Sequence, residues 1–144
     1  QKIAKKITDE LGGMGIFGVE FFIKDNNVIF SELSPRPHDT GMVTMKTQRL
    51  SEFDLHVRAF LELPITQEMI DNNFSSGASH VILADTEGEV DSYKGVIDAL
   101  SNPNIDIRIF GKSTTKKHRR MAVVLAPSLK EAKEAANKIK VIIK

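Results

Sequence analysis

Apolar residues recur every fourth position at Ile3, Ile7 and Leu11 in a Lys-rich opening, which predicts one stripe of an amphipathic helix, ended by Gly12-Gly13. The period then changes. Between Gly18 and Leu33, Val19, Phe21 and Ile23, then Ile29 and Phe30, flank Asp25-Asn26-Asn27, a pattern that predicts two strands joined by a polar turn. Helical spacing returns with Leu50, Phe53, Val57, Phe60 and Leu61. Ser51 stands at the N-cap of this second helix, Glu52 and Asp54 lie in its first turn, and the run lasts until Pro64.

Turn-forming Asp71-Asn72-Asn73 and Ser75-Ser76-Gly77 follow, and the pattern beyond them changes style. Ala78 to Ala84 reads as a strand and Tyr93 to Leu100 as a short helix. Ile105, Ile107 and Ile109 alternate with Asp106 and Arg108 as a half-buried strand, and Met121 to Ala126 is a continuous apolar strand. A last helix is predicted from Ser128 to about Lys140 or beyond. Ser128 and Glu131 give it a capping-box pattern, and Leu129, Ala132, Ala136, Ile139 and Ile143 its buried stripe. The expected class is α+β, with antiparallel strands plus helices over residues 1–63 and a small sheet-and-helix lobe over 64–144. No repeat or low-complexity segment interrupts it.

Composition narrows the function classes. A formal net charge of +1 over 144 residues gives no global polyanion signal. There is no Cys, which excludes disulfides and thiol chemistry and fits a cytoplasmic protein. No apolar run reaches membrane-spanning length. The chain starts without Met and inside a helix, which leads us to expect a piece of something longer.

The first chemical signal lies in the hairpin. With Asp25-Asn26-Asn27 as its loop, Lys24 pairs with Val28, and counting outward sets Glu20 opposite Glu32, with Phe22 and Phe30 on the same face between them and the turn. Opposed like charges destabilise a sheet unless the site is wet, one acid is protonated or a cation is shared. Hard oxygen ligands without Cys suit Mg²⁺, and two solvent-facing glutamates on a polar face are the plainer alternative. Next comes Ser34-Pro35-Arg36-Pro37-His38-Asp39-Thr40-Gly41, whose two prolines exclude a helix interior or central strand and predict a stiff loop presenting polar groups.

The second signal is Phe110 to Arg120, where Lys112, Lys116, Lys117, Arg119 and Arg120 crowd one connection with His118. Arg offers a planar fork of donors and Lys a mobile point charge, so the cluster suits a small phosphorylated ligand. A solvated hairpin tip is the plainer reading of these residues taken alone.

The run GVEFFIKDNNVIFSELSPRPHDTGMVT resembles the metal-binding strands and following loop of ATP-grasp enzymes, closest to the formate-dependent phosphoribosylglycinamide formyltransferases. LSEFDLHVRAFLELP continues the likeness, as does FGK followed after a short turn by RR. The resemblance implies the C-terminal part of an ATP-grasp fold, in which Glu20 and Glu32 bind the Mg²⁺ of MgATP and Asp39 contacts phosphoribosylglycinamide. It also implies that Lys112, Arg119 and Arg120 grip that substrate's ribose phosphate. Ser34 stands where many ATP-grasp relatives carry Asn, so no third ligand is carried over there. In the family, formate attacks the γ-phosphate of ATP to give formyl phosphate, and the substrate amine takes the formyl group. A cytoplasmic homodimer using small-molecule substrates, with no nucleic acid and no membrane, is the implied setting.

The chain holds no glycine-rich phosphate-covering loop and no Rossmann-like fingerprint, features that in the family lie upstream of the matched residues. Catalytic incompetence of these residues alone is therefore expected, and no catalytic residue is assigned among them. Two alternatives remain. One is the ATP-grasp N5-carboxyaminoimidazole ribonucleotide synthase, which shares a related RPH loop. The other is a non-catalytic phosphate- or nucleic-acid-binding module using Lys112 to Arg120, opposed by the single aromatic, Phe110, available there for stacking.

Overall fold

The opening stripe forms α1 (Lys2–Leu11) in a computed structural model that describes residues 1–71 and 76–144. Gly12 ends the helix at φ 71°, its N–H capping the Thr8 carbonyl. Of the predicted boundary turns, Asn72, Asn73 and Ser75 lie outside the described residues. The chain separates into two units, Gln1–Asn73 and Phe74–Lys144.

In the first unit, β1 (Gly18–Lys24) and β2 (Asn27–Ser34) pair antiparallel. The turn is one residue shorter than the pattern suggested. Asp25 and Asn26 alone form it, at φ 49° and 63°, and Lys24 pairs with Asn27. Asp and Asn tolerate the left-handed region, and a two-residue turn of that hand matches the strand twist. That slip would by itself have separated the two acids. A bulge restores them: Phe21 pairs with Phe30 and Glu20 with Glu32, leaving Ser31 as the extra residue between. Phe21 rather than Phe22 therefore meets Phe30, edge to face at 6.4 Å.

Beyond β2 the Pro-rich loop closes in a 3₁₀ turn, Asp39–Gly41, and then α2 (Thr44–Thr47), α3 (Glu52–Phe60) and α4 (Gln67–Ile70) follow. Ser51 caps α3 as predicted, in a reciprocal box with Asp54. The apolar positions of that helical spacing do not form a buried stripe. Phe53, Val57, Phe60 and Leu61 remain exposed, and Glu52 and Leu55 are the residues α3 buries.

The second unit holds two three-stranded sheets. In one, β7 (Arg120–Ala126) lies between β3 (Ala78–Leu83) and β5 (Asp106–Ile109), antiparallel to both. Met121 to Ala126 are wholly buried, as the unbroken apolar run required. In the other, β4 (Gly88–Lys94) lies between β6 (Thr114–Thr115) and β8 (Lys140–Ile143). The core joins Ile82, Ile105 and Val124 to Ala132, Ala135, Ala136 and Ile139 of α6 (Leu129–Lys138).

Sequence pattern missed β4 and β8. Tyr93 belongs to β4, and the predicted helix shortens to α5 (Val96–Leu100) behind Gly95 at φ 79°. A Cβ at Gly95 would collide with the Lys138 carbonyl, so close approach as well as backbone hand requires glycine. Ile143, expected on the last helix, pairs instead with Val90, because β-branched Val141, Ile142 and Ile143 favour an extended chain once α6 ends. No helix among the described residues is long and apolar enough to cross a membrane.

Candidate functional site

The hairpin and the Pro-rich loop converge on one cluster. Glu20, Glu32 and His38 each offer a ligand atom, all within 4.8 Å of one another. Glu20 and Glu32 supply the hard oxygen donors that a divalent cation such as Mg²⁺ takes, with His38 as a softer nitrogen donor beside them. His38 is the member that sequence reasoning did not assign. Its Nε2 lies 3.0 Å from Glu20 Oε1, and its Nδ1 lies 3.2 Å from Asp39 Oδ1 and 3.0 Å from Thr40 Oγ1. The imidazole thus links a strand carboxylate to the carboxylate carried over for substrate contact. A histidine between two predicted site acids was the available signal.

Beneath the loop lies Glu52, the first residue of α3 and 5% exposed. Its Oε2 accepts the His38 main-chain N–H at 2.9 Å. Its own N–H donates to Thr44 Oγ1 at 2.9 Å, and the Thr44 hydroxyl donates to the Gly41 carbonyl at 2.6 Å. Gly41 allows this fit, since a Cβ there would run into Glu52 Oε2. Burial raises the Glu52 carboxyl above the usual carboxylate range, against the lowering effect of the His38 N–H. Its other oxygen, Oε1, has no hydrogen-bond partner. The carboxyl helps line a cleft of about 260 Å³ shared with Ile16, Phe17, His38, Thr40 and Leu55. One turn on, His56 Nδ1 accepts the Ile16 N–H at 3.0 Å, fixing the approach to β1; sequence reading gave that histidine no role.

The second unit carries the basic cluster. It is more than a hairpin tip, because Thr114 and Thr115 pair with β4 as β6. Lys112 Nζ donates to the Arg120 carbonyl at 2.6 Å and sits 5.4 Å from the Phe110 ring centroid. Burial, then Arg119 and Arg120, hold its ammonium below the usual lysine range. Arg119 donates to the Thr114 carbonyl at 2.9 Å and lines a cleft of about 450 Å³ with Glu87, Glu89, Thr115 and Lys116. The three predicted phosphate-binding cations are therefore gathered in sequence and space, and an incoming anion would relieve their mutual repulsion. Glu20, Glu32 and Asp39 belong to one unit and Lys112, Arg119 and Arg120 to the other.

Comparison with known proteins covers both units. The ATP-grasp domain model matches residues 1–53, and the model for the PurT C-terminal domain matches residues 77–143. The formate-dependent phosphoribosylglycinamide formyltransferase of Syntrophotalea carbinolica is 54% identical over 147 aligned positions, covering 98% of this chain and 37% of that protein. Its counterpart in Methanocaldococcus jannaschii is 55% identical, with 96% and 35% covered. The chain thus spans little more than a third of the length of these relatives. Among solved structures, the N5-carboxyaminoimidazole ribonucleotide synthetase from Thermotoga maritima matches with a TM-score of 0.80 at 25% identity, over 99% of this chain and 41% of that one. The glycinamide-RNase-transformylase T structure from Mycobacterium tuberculosis matches with a TM-score of 0.66 at 34% identity, over 95% of this chain and 35% of that one.

Proposed function

Since the chain belongs to the formate-dependent phosphoribosylglycinamide formyltransferases of the ATP-grasp superfamily, we propose that it supplies the cation-holding and substrate-phosphate-gripping part of such an enzyme. The observation that carries this reading is the pairing of Glu20 with Glu32 beside His38, two like-charged acids set opposite each other with a third ligand atom within reach. Glu20 and Glu32 hold Mg²⁺ with ATP, and that ion supplies neutralisation of charge on the transferring phosphoryl group. Asp39, carried on a loop stiffened by Pro35 and Pro37, orients phosphoribosylglycinamide. Lys112, Arg119 and Arg120 take its phosphate. Formate attacks the γ-phosphate of ATP to give formyl phosphate and release ADP, and the glycinamide amine, positioned by these contacts, attacks the formyl carbon, expelling phosphate and losing a proton. These residues alone are inactive, and the enzyme acts in the cytoplasm as a homodimer on small molecules.

The division of labour is tested in a chain extended by the portion the relatives carry. Glu32→Gln should cost at least a hundredfold in formate-dependent ADP release and abolish its Mg²⁺ dependence; unchanged turnover would refute the metal assignment. Arg119→Ala should raise KM for phosphoribosylglycinamide tenfold or more with KM for ATP nearly unchanged. An effect confined to ATP would contradict the assignment of the basic cluster. The fold shared with N5-carboxyaminoimidazole ribonucleotide synthetase at 25% identity raises a second reading, which the 54% and 55% identity to the formyltransferases disfavours. ADP release with bicarbonate and aminoimidazole ribonucleotide, absent with formate and phosphoribosylglycinamide, would favour it.

A further inference from the structure

Glu52 is an expensive residue to keep. A carboxyl buried to 5% exposure, with one oxygen lacking any hydrogen-bond partner, costs stability that a less polar side chain of the same length would avoid. The contacts it makes all lead in one direction. Its Oε2 holds the His38 main-chain N–H at 2.9 Å, and the His38 ring in turn reaches Glu20 Oε1 at 3.0 Å. Its main chain is tied through Thr44 to the Gly41 carbonyl at the far end of the same 3₁₀ turn. Ser51 and Asp54 lock the first turn of α3 around it, so the carboxyl is presented from a rigid support.

We propose that Glu52 is a positioning residue for the candidate cation site: its buried carboxyl fixes the His38 backbone, and the His38 imidazole thereby fixes Glu20 against Glu32. The inference rests on the cation reading above and extends it to a residue that touches neither cation nor substrate. A side chain that only filled space would be replaceable by any residue of similar length. A positioning carboxyl needs an acceptor at Oε2.

The chain extended by the portion the relatives carry is titrated with Mn²⁺, followed by water-proton relaxation, and the His38 ring is followed by ¹⁵N NMR without metal. Glu52→Met keeps length and removes both the acceptor and the burial penalty, so the chain should fold as well as wild type while Mn²⁺ binds at least fivefold more weakly and the His38 ring signals shift. Glu52→Gln, whose carbonyl still accepts from the His38 N–H, should bind within twofold of wild type. Glu52→Asp keeps the charge and the helix-start preference but falls short of His38, and it is read by the same rule should the Met variant not fold. Mn²⁺ binding within twofold of wild type and unmoved His38 signals in the folded Met or Asp variant would overturn the proposal. If Glu32→Gln binds Mn²⁺ as wild type does, the cation reading fails instead; an unmoved His38 ring in the metal-free Met variant still rejects the positioning role on its own.

Discussion

The two units differ in how much hydrocarbon they bury. The second buries hydrocarbon, with every residue from Met121 to Ala126 wholly inaccessible. The first buries little besides Leu55 and the Glu52 carboxyl, and leaves Phe22 at 65% and Ile23 at 79% exposed on the hairpin. One unit uses its sequence to make a core that holds a basic cluster on the connection from β5 through β6 to the start of β7. The other places its rigid contacts under a loop that presents His38 and Asp39. Stability and site geometry are thus carried by different residues, and substitutions should separate them.

The largest effect belongs to the core. Leu125→Ala empties a fully buried position on the central strand and should cost about 2–5 kcal/mol in denaturant unfolding of the second unit, whereas Phe22→Ala at the exposed hairpin should cost about 0.5 kcal/mol or less. Comparable losses at the two positions would break the contrast. Next comes Gly41→Ala, which puts a methyl group against the buried Glu52 carboxyl and should cost about 1–3 kcal/mol while weakening Mn²⁺ binding, although nothing apolar is removed.

A smaller effect than at Leu125 is expected at the cap of α3, where Ser51→Ala should cost about 1 kcal/mol. The Ser51 hydroxyl, then its N–H, holds the Asp54 carboxyl below the usual range. A carboxyl lowered by folding stabilises above its unfolded value and loses that contribution as pH falls through its folded value. Wild type should therefore lose a small increment of stability below about pH 4, and Ser51→Ala should flatten that part of the curve. A cost that stays the same from pH 6 to pH 2 would show that Asp54 takes no part in the cap.

Much of this division was legible along the chain. The continuous run Met121 to Ala126 announced a strand buried on both faces, and Ser51 announced its helix. The pairing of Glu20 with Glu32 was also legible, although by a register that was wrong at the turn and then corrected by a bulge at Ser31. β4 was not legible, because GEVDSYK mixes charge with few apolar residues and owes its extension to β6 and β8 on either side. Glu52 read as an ordinary first-turn acid. Its burial depends on Gly41 and Thr44, which reach it only after the Pro-rich loop has folded back.

The sequence by itself determined what neighbours in the chain can encode: helical and strand periods, the cap at Ser51, the stiff loop and the acidic and basic residue types on offer. Only the tertiary structure decided which acid is buried, that His38 joins Glu20 to Asp39, and that a bulge brings Glu20 back to Glu32. The physical reason is range. Periodicity and turn chemistry act over a few residues, whereas burial and hydrogen-bond geometry depend on groups, such as His38 and Glu52 at 14 positions apart, that meet only when the fold closes.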